Sequence, residues 1–119
     1  QSRLNFKAGN FFEDTLPAGD VYSLGFILSD WNDEQSLFLL EKIYSSLPTN
    51  GMLCILERLF KEDFTGPFLT SMMNLCMLLE TYGKHRSFNQ YKALLERSNF
   101  KNINVIYSGN EKHMIVAYK

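Results

Sequence analysis

Residues 20–56 decide the fold of this chain, and they read DVYSLGFILSDWNDEQSLFLLEKIYSSLPTNGMLCIL. Val21–Leu28 is a nearly continuous apolar run, which is typical of a strand buried on both faces of a parallel sheet. Residues 32–34 offer a cap and first-turn acids for a helix. The apolar positions of that helix recur every three or four residues, at Leu37, Leu40, Tyr44 and Leu47. Met52–Leu56 is a second buried strand, so the stretch predicts a right-handed βαβ unit.

The sequence after this unit predicts two more helices and a hairpin. Gly66-Pro67 opens a helix to about Glu80 that is apolar nearly all round, so it is either fully buried or covers a ligand or partner. Ser87-Phe88-Asn89-Gln90 is a capping box for a third helix, and Asn99 can take the left-handed position that closes it. Residues 103–107 and 114–118 alternate about a Ser-Gly-Asn-Glu turn, which is typical of an antiparallel hairpin.

Composition and charge exclude several functional classes. The 119 residues are 45% hydrophobic, which predicts one domain with a real core. The net charge is −1 with no block of like charge, so we expect neither nucleic-acid nor membrane binding. Cys54 and Cys76 lie in apolar runs and are expected to be buried free thiols in a reducing, cytoplasmic compartment. No Cys or His spacing provides a metal ligand set.

Several motifs occur together, at spacings that cover essentially the whole chain. They are Gly9-Asn10-Phe11-Phe12, Leu16-Pro17, Asp20-Val21-Tyr22, Ile27-Leu28-Ser29-Asp30-Trp31-Asn32-Asp33-Glu34, Glu57, Gly66-Pro67 and Gly83-Lys84-His85-Arg86-Ser87. This set resembles the second half of the class I S-adenosylmethionine-dependent O-methyltransferases of the plant caffeate and acetylserotonin type. The Asp-Trp-x-Asp-Glu element and the downstream Gly-Lys-x-Arg are specific when they occur together.

The resemblance implies an α/β fold with a partial Rossmann-like methyltransferase sheet. The family sheet has strand order 3-2-1-4-5-7-6 with an antiparallel last strand, and the chain would supply strands 3, 4, 5, 6 and 7. Strand 3 would be the short alternating run around Leu4 and Phe6. Residues 1–119 would be the C-terminal portion of the catalytic domain, with the glycine-rich cofactor loop and the N-terminal dimerisation domain upstream of Gln1. Because a partial sheet leaves strand edges unpaired, we expect either oligomerisation, as in a homodimer, or rearrangement of residues 4–12.

The chemistry implied by the resemblance is methyl transfer from S-adenosylmethionine to a hydroxyl of a small aromatic acceptor. The family places a histidine base just before Asp30-Trp31, oriented by two glutamates. Ser29 occupies the position of the base, and a serine hydroxyl is not basic near neutral pH. Glu57 matches one glutamate, while His85 replaces the other. Either His85 acts as the base, oriented by Glu57 or Asp30, or His85 is a solvated loop residue and the base is lost.

The resemblance also assigns the binding residues. Gly9, Asn10 and Phe11 match the segment that faces the cofactor adenine, with asparagine in place of the family's acid. The family often carries a cation near the cofactor where this chain has Gly25 and Phe26. The candidate substrate pocket consists of Trp31, Met73, Cys76 and Met77, although an aromatic or methionine at such positions is more often core packing. Asp30 either contacts substrate or caps the following helix.

Two functional hypotheses follow from these residues. The first is a fragment of an O-methyltransferase. The second is a degenerate, non-catalytic methyltransferase-like module that acts in dimerisation or as a structural partner; Ser29, Asn10, Phe26 and His85 favour it. On either hypothesis we expect no independent methyl transfer by the 119-residue chain.

Overall fold

A computed structural model describes residues 3–119 as six strands and three helices. In chain order the elements are β1 (Val21–Gly25), α1 (Asp33–Ser46), β2 (Met52–Glu57), β3 (Leu59–Phe60), α2 (Phe68–Glu80), β4 (Arg86–Ser87), α3 (Phe88–Arg97), β5 (Lys101–Ile106) and β6 (His113–Tyr118). A short 3-10 turn, Leu28–Asp30, lies between β1 and α1. Both helices and the hairpin predicted after residue 56 are therefore confirmed.

The main sheet has strand order β1-β2-β6-β5. β1 and β2 are parallel, whereas β6 is antiparallel to both β2 and β5. This order corresponds to 4-5-7-6 of the expected methyltransferase sheet, so the fold class is confirmed. A second, two-residue parallel ladder joins β3 to β4. The sequence did not predict it, because two residues are too few to show a periodicity.

The core lies between the main sheet and the helices α1 and α3. β2 alternates along its length, and its buried face carries Leu53, Ile55 and Glu57. Because side chains alternate along a strand, the carboxyl group of Glu57 lies on the same side of the sheet as the core residues Leu53 and Ile55. The other buried hydrophobic residues are Leu28, Leu39, Leu40, Ile43, Leu47, Leu59, Tyr91, Leu94, Leu95, Phe100, Ile115 and Ala117.

Helix ends form as the sequence predicts. Asn32 caps α1 by accepting a hydrogen bond from the backbone N of Gln35, whose side chain accepts one from the backbone N of Asn32. Ser87 and Gln90 form the same reciprocal box at the start of α3. Asn99 follows α3 with φ 71°, in the left-handed region expected of a helix-closing residue.

Two predictions about the first 28 residues are wrong. Leu4 and Phe6 lie outside any strand and are 67% and 96% exposed. A strand needs a hydrogen-bonded neighbour, and within residues 3–119 the outer edge of β1 pairs with no strand. β1 is also not buried on both faces: it ends at Gly25, and Val21 is 52% exposed. Residues 4–10 thus form no strand, and within residues 3–119 the outer edge of β1 has no partner strand.

α2 is the least buried of the three helices. Thr70 is its one fully buried residue, while Leu75 and Leu79 are 56% and 87% exposed. Full burial of this helix is therefore excluded. Cys76 is exposed and Cys54 half-buried, so both thiols are free as predicted but neither is fully buried. Among residues 3–119, no helix combines the length and apolar character required to cross a membrane.

Candidate active site

The candidate site lies at the edge of the sheet where β1 and β2 end. These strands are parallel, so their carboxyl ends meet there, which is where open α/β sheets bind ligands. The turn Leu28–Asp30 follows β1, Glu57 is the last residue of β2, and the segment 83–86 arrives from the end of α2. Three chain segments that are distant in sequence thus converge on one place.

Arg86 holds these segments together. Its side chain is 1% exposed, and it donates through Nη1 to the carbonyl oxygen of Leu28 at 2.8 Å and through Nη2 to that of Trp31 at 2.9 Å. Nε and Nη2 also donate to Oδ1 of Asp33, at 3.0 and 2.8 Å. Burial acts to raise the pKa of Asp33, but the hydrogen bonds and charge of Arg86 outweigh it and lower that pKa. The carboxylate therefore stays ionised beside the buried guanidinium.

Gly83 brings the same segment into direct contact with the turn after β1. A Cβ on Gly83 would overlap the carbonyl oxygen of Ser29 and lie 2.5 Å from the carbonyl carbon of Asp30. Because the atoms it would meet are backbone, they cannot be displaced by a rotamer change. A residue without a side chain is therefore required at this position.

Ser29 and Glu57 form the centre of the site. Both are buried, at 2% and 1% exposure, and the backbone N of Ser29 donates to Oε1 of Glu57 at 3.1 Å. The second carboxyl oxygen, Oε2, has no hydrogen-bond partner among residues 3–119. Burial raises the pKa of Glu57 to about 7, although hydrogen bonds from Ser29 oppose that rise. Glu57 is thus a carboxyl group that exchanges a proton near neutral pH.

His85 is buried at 4% exposure, so it is not a solvated loop residue. Its backbone N donates to Oδ1 of Asn74 on α2 at 2.8 Å. Neither ring nitrogen has a hydrogen-bond partner within residues 3–119. Neither Glu57 nor Asp30 orients the ring by a hydrogen bond. Burial, together with the positive charges of Arg58 and Arg86, lowers the pKa of His85, so the imidazole is neutral near neutral pH.

The other predicted pocket residues differ in their exposure. Asp30 is exposed, and it does not cap α1, because Asn32 does. Trp31 is half-buried, with its ring centroid 4.7 Å from that of Phe12 in an edge-to-face contact. On α2, Met73 and Met77 are half-buried and Cys76 is exposed. Within residues 3–119, no cluster of three His, Cys, Asp or Glu side chains is arranged to hold a metal ion.

The predicted cofactor segment forms an exposed loop anchored on α1. Nζ of Lys42 donates to the carbonyl oxygen of Phe11 at 2.9 Å, and the backbone N of Asn10 donates to Oδ2 of Asp14 at 2.7 Å. The backbone N of Phe12 donates to Oδ1 of Asn10 at 3.0 Å. The asparagine thus uses its acceptor within the loop, and its amide N–H groups have no hydrogen-bond partner among residues 3–119. A shallow pocket beside it is lined by residues 7–11 and 14–17, which include Gly9.

Comparison with known proteins identifies the family. The family model for the O-methyltransferase domain matches residues 1–101. This chain belongs to the O-methyltransferase domain family. It is 35% identical to human acetylserotonin O-methyltransferase over 119 residues and 34% identical to the Bos taurus enzyme over 117 residues. These alignments cover 100% and 98% of this chain and 34% of each relative, so the chain spans about a third of their length.

Solved structures agree with this assignment. The chain superposes on human N-acetylserotonin methyltransferase in complex with SAM with a TM-score of 0.98 and 35% identity, covering 100% of this chain and 34% of that one. It superposes on PigF with SAH with a TM-score of 0.87 and 30% identity, covering 93% and 34%. The chain therefore has the O-methyltransferase fold, and its family uses S-adenosylmethionine.

Two residues of the candidate site, Gly83 and Arg86, were given no role from the sequence. Gly83 and Arg86 belong to the Gly-Lys-x-Arg motif, so their positions carried a signal, but the motif does not say what they contact. A buried arginine is unusual unless it is paired, and Asp33 is its partner. The partner lies 53 residues away in sequence, which no local pattern reveals.

We predict that R86M lowers the free energy of unfolding of the chain by roughly 2–4 kcal/mol, because it leaves buried carbonyl oxygens without donors. K84M is the matched control. Lys84 also faces Asp33, at 3.7 Å, but its side chain is 45% exposed, so the loss should stay below about 1 kcal/mol. Urea unfolding of both variants measures the difference. Equal effects would contradict the structural role given to Arg86.

We predict that G83A lowers the free energy of unfolding by about 2 kcal/mol or more, since the new methyl group meets the backbone of Ser29 and Asp30. Gly25 provides the control, because a Cβ there has open space. G25A should change stability by less than about 0.5 kcal/mol. Thermal unfolding of the two variants gives the comparison, and a G83A protein as stable as G25A would refute the close contact.

Glu57 should make stability depend on pH. Its pKa in the folded chain, about 7, lies above the ordinary value of 4.5, so the folded state keeps a proton that the unfolded state has released. The contribution is complete below pH 4.5 and is lost as the pH rises to about 7, which amounts to roughly 3 kcal/mol. E57Q does not titrate. The free energy of unfolding of E57Q minus that of the unsubstituted chain should therefore grow by this amount between pH 4.5 and 8. His85 titrates in both proteins and cancels in the difference, and a difference independent of pH would contradict the burial of an ionisable Glu57.

Proposed function

We propose that this chain is the C-terminal portion of a methyltransferase catalytic domain whose whole protein transfers methyl from S-adenosylmethionine to a hydroxyl of a small aromatic acceptor. The observation that carries the proposal is the buried Glu57 carboxyl group at the carboxyl edge of the sheet, with one oxygen free and a pKa of about 7. A group of that proton affinity is suited to general-base catalysis at neutral pH. The close superposition on a SAM complex supports the same reading.

The proton of the acceptor hydroxyl has two candidate destinations. Glu57 carries an unpartnered oxygen, and His85 carries two unpartnered ring nitrogens. The pKa of Glu57 is raised towards neutrality, whereas that of His85 is lowered, so Glu57 is the better-matched base. We therefore assign proton acceptance to Glu57 and a supporting role to His85. Asp30, exposed beside them, is available to contact the acceptor.

The loop 9–11 fits one part of the cofactor. Phe11 offers a half-buried ring, and the free amide N–H groups of Asn10 can donate to acceptor atoms of an adenine. Trp31, packed on Phe12, extends this aromatic surface towards the catalytic centre. When bound, S-adenosylmethionine supplies an electrophilic methyl group on a sulfonium sulfur. The chain's own residues would hold the acceptor oxygen in line with that methyl group and accept its proton.

The second candidate function is that of a non-catalytic module that acts by associating with another protein chain. Under either candidate we place the protein in the cytoplasm. What favours it is Ser29 at the position of the base, together with the exposed apolar face of α2 around Leu75 and Leu79. The open edge of β1 also favours association with a second copy. This candidate requires oligomerisation but neither cofactor binding nor turnover.

The test is methyl transfer by the longest expressible polypeptide that contains residues 1–119, with labelled S-adenosylmethionine and N-acetylserotonin or simpler phenols as acceptors. We expect turnover that falls about 100-fold or more in E57Q, since a general base contributes 10²–10⁴-fold. H85Q should reduce kcat less. The pH profile should show an ascending limb near pH 7, set by Glu57, which E57Q removes.

The outcomes separate the two candidates. If neither turnover nor calorimetric binding of S-adenosylhomocysteine is found, the catalytic proposal is wrong. A concentration-dependent oligomer in sedimentation that L79Q weakens would then support the association module. Turnover that is unchanged in E57Q would contradict only the assignment of Glu57 as the base, and not the proposal of methyl transfer.

A further inference from the structure

Two cationic side chains, Arg58 and Lys112, lie at the carboxyl edge of the sheet and have no role in the proton transfer proposed above. Arg58 follows β2, Lys112 precedes β6, and the strand register pairs Glu57 with His113, so residues 58 and 112 continue these neighbouring strands side by side. Phe26 follows β1 on the other flank of β2, and its backbone N donates to the carbonyl oxygen of Leu56 at 3.0 Å. Three adjacent strands thus deliver one aromatic ring and two cations to the same point.

The ring of Phe26 is in contact with both cations. Cζ of Arg58 lies 5.2 Å from the ring centroid, and Nζ of Lys112 lies 5.0 Å from it. Both distances are within cation–π range. Phe26 also has φ 53°, a left-handed conformation that is strained for a bulky residue. Backbone strain of this kind concentrates at ligand sites, where a side chain must be placed in one position.

Arg58 lacks a hydrogen-bond acceptor. Its Nε is buried and has no hydrogen-bond partner among residues 3–119. The nearest carboxylate in an ion pair is that of Glu111, whose Oε2 lies 4.0 Å away, beyond hydrogen-bond reach, on a side chain that is 56% exposed. An unpaired guanidinium N–H is suited to a carboxylate, which it can bind in a forked arrangement.

We propose that Arg58 and Lys112, held against the ring of Phe26, recognise the carboxylate of a small-molecule ligand bound at the carboxyl edge of the sheet. Two cations and the nearby Glu111 leave a net charge of +1, which matches a carboxylate better than a phosphate dianion. The charge of Arg58 also reaches His85. The bound carboxylate therefore lies on the same side of the site as His85 and orients the ligand relative to it.

The carboxylate has two possible sources with the same chemistry: the amino-acid part of the cofactor or a carboxylated aromatic acceptor. Calorimetric titration of the longest expressible polypeptide distinguishes them with matched probes. S-adenosylhomocysteine is compared with 5′-methylthioadenosine, which lacks the whole amino-acid part with its carboxylate and ammonium groups, and 4-hydroxybenzoate is compared with its neutral amide. We expect R58Q to weaken binding of one carboxylated probe by about tenfold or more, as expected for a lost hydrogen bond between charged groups, with no change for its uncharged counterpart.

Control variants separate charge recognition from folding. Lys101 lies at the opposite end of the sheet, where it pairs with Tyr118, so K101Q should leave all four affinities unchanged. R58K keeps the charge and should retain part of the affinity that R58Q loses, and K112Q should weaken the same probe as R58Q. The inference is overturned if wild type binds neither carboxylated probe, or if R58Q affects charged and uncharged probes alike. Because this experiment measures binding, the inference holds or fails independently of methyl transfer.

Discussion

The arrangement of the site depends on one buried charge, the guanidinium of Arg86. A charge removed from water is tolerated only where its hydrogen bonds are matched. Here the carbonyl oxygens of Leu28 and Trp31 and the carboxylate of Asp33 provide the match. Because these acceptors belong to the turn after β1 and the start of α1, satisfying Arg86 fixes where that turn lies. Gly83 makes the approach possible, since the chain reaches this position only without a side chain.

The charge of Arg86 also affects the protonation of two neighbouring side chains, those of Glu57 and His85. Arg86 acts to lower the pKa of Glu57 and the pKa of His85, although burial is the larger influence on each group. For a carboxyl group this favours the ionised form, and for an imidazole it favours the neutral form. Both of these forms accept protons. The charge of Arg86 therefore biases both groups towards their unprotonated forms, while burial determines the net direction of each pKa shift.

Sequence patterns located the elements well where the physical cause is local. The capping residues Asn32 and Ser87, the closing residue Asn99 and the hairpin were all predicted, because each depends on a few neighbouring residues. Patterns failed where burial depends on what lies opposite. The apolar run at Val21–Leu28 was predicted to be buried on both faces, and full burial was one of the two alternatives left open for α2, yet β1 and α2 are both partly exposed. Motifs singled out Glu57 and His85 as candidate site residues, but they did not reveal the long-range pairing of Arg86 with Asp33 that positions the turn after β1.

The presence of serine at residue 29 also affects the protonation of Glu57. Oε1 of Glu57 receives the backbone N–H of Ser29, and Oε2 has no partner among residues 3–119. Desolvation outweighs the hydrogen bonds from Ser29, and the pKa of Glu57 rises to about 7. That value is close to the ordinary pKa of an imidazole. Under the proposed function, a serine at the position where the resemblance implies a histidine therefore does not leave the site without a base.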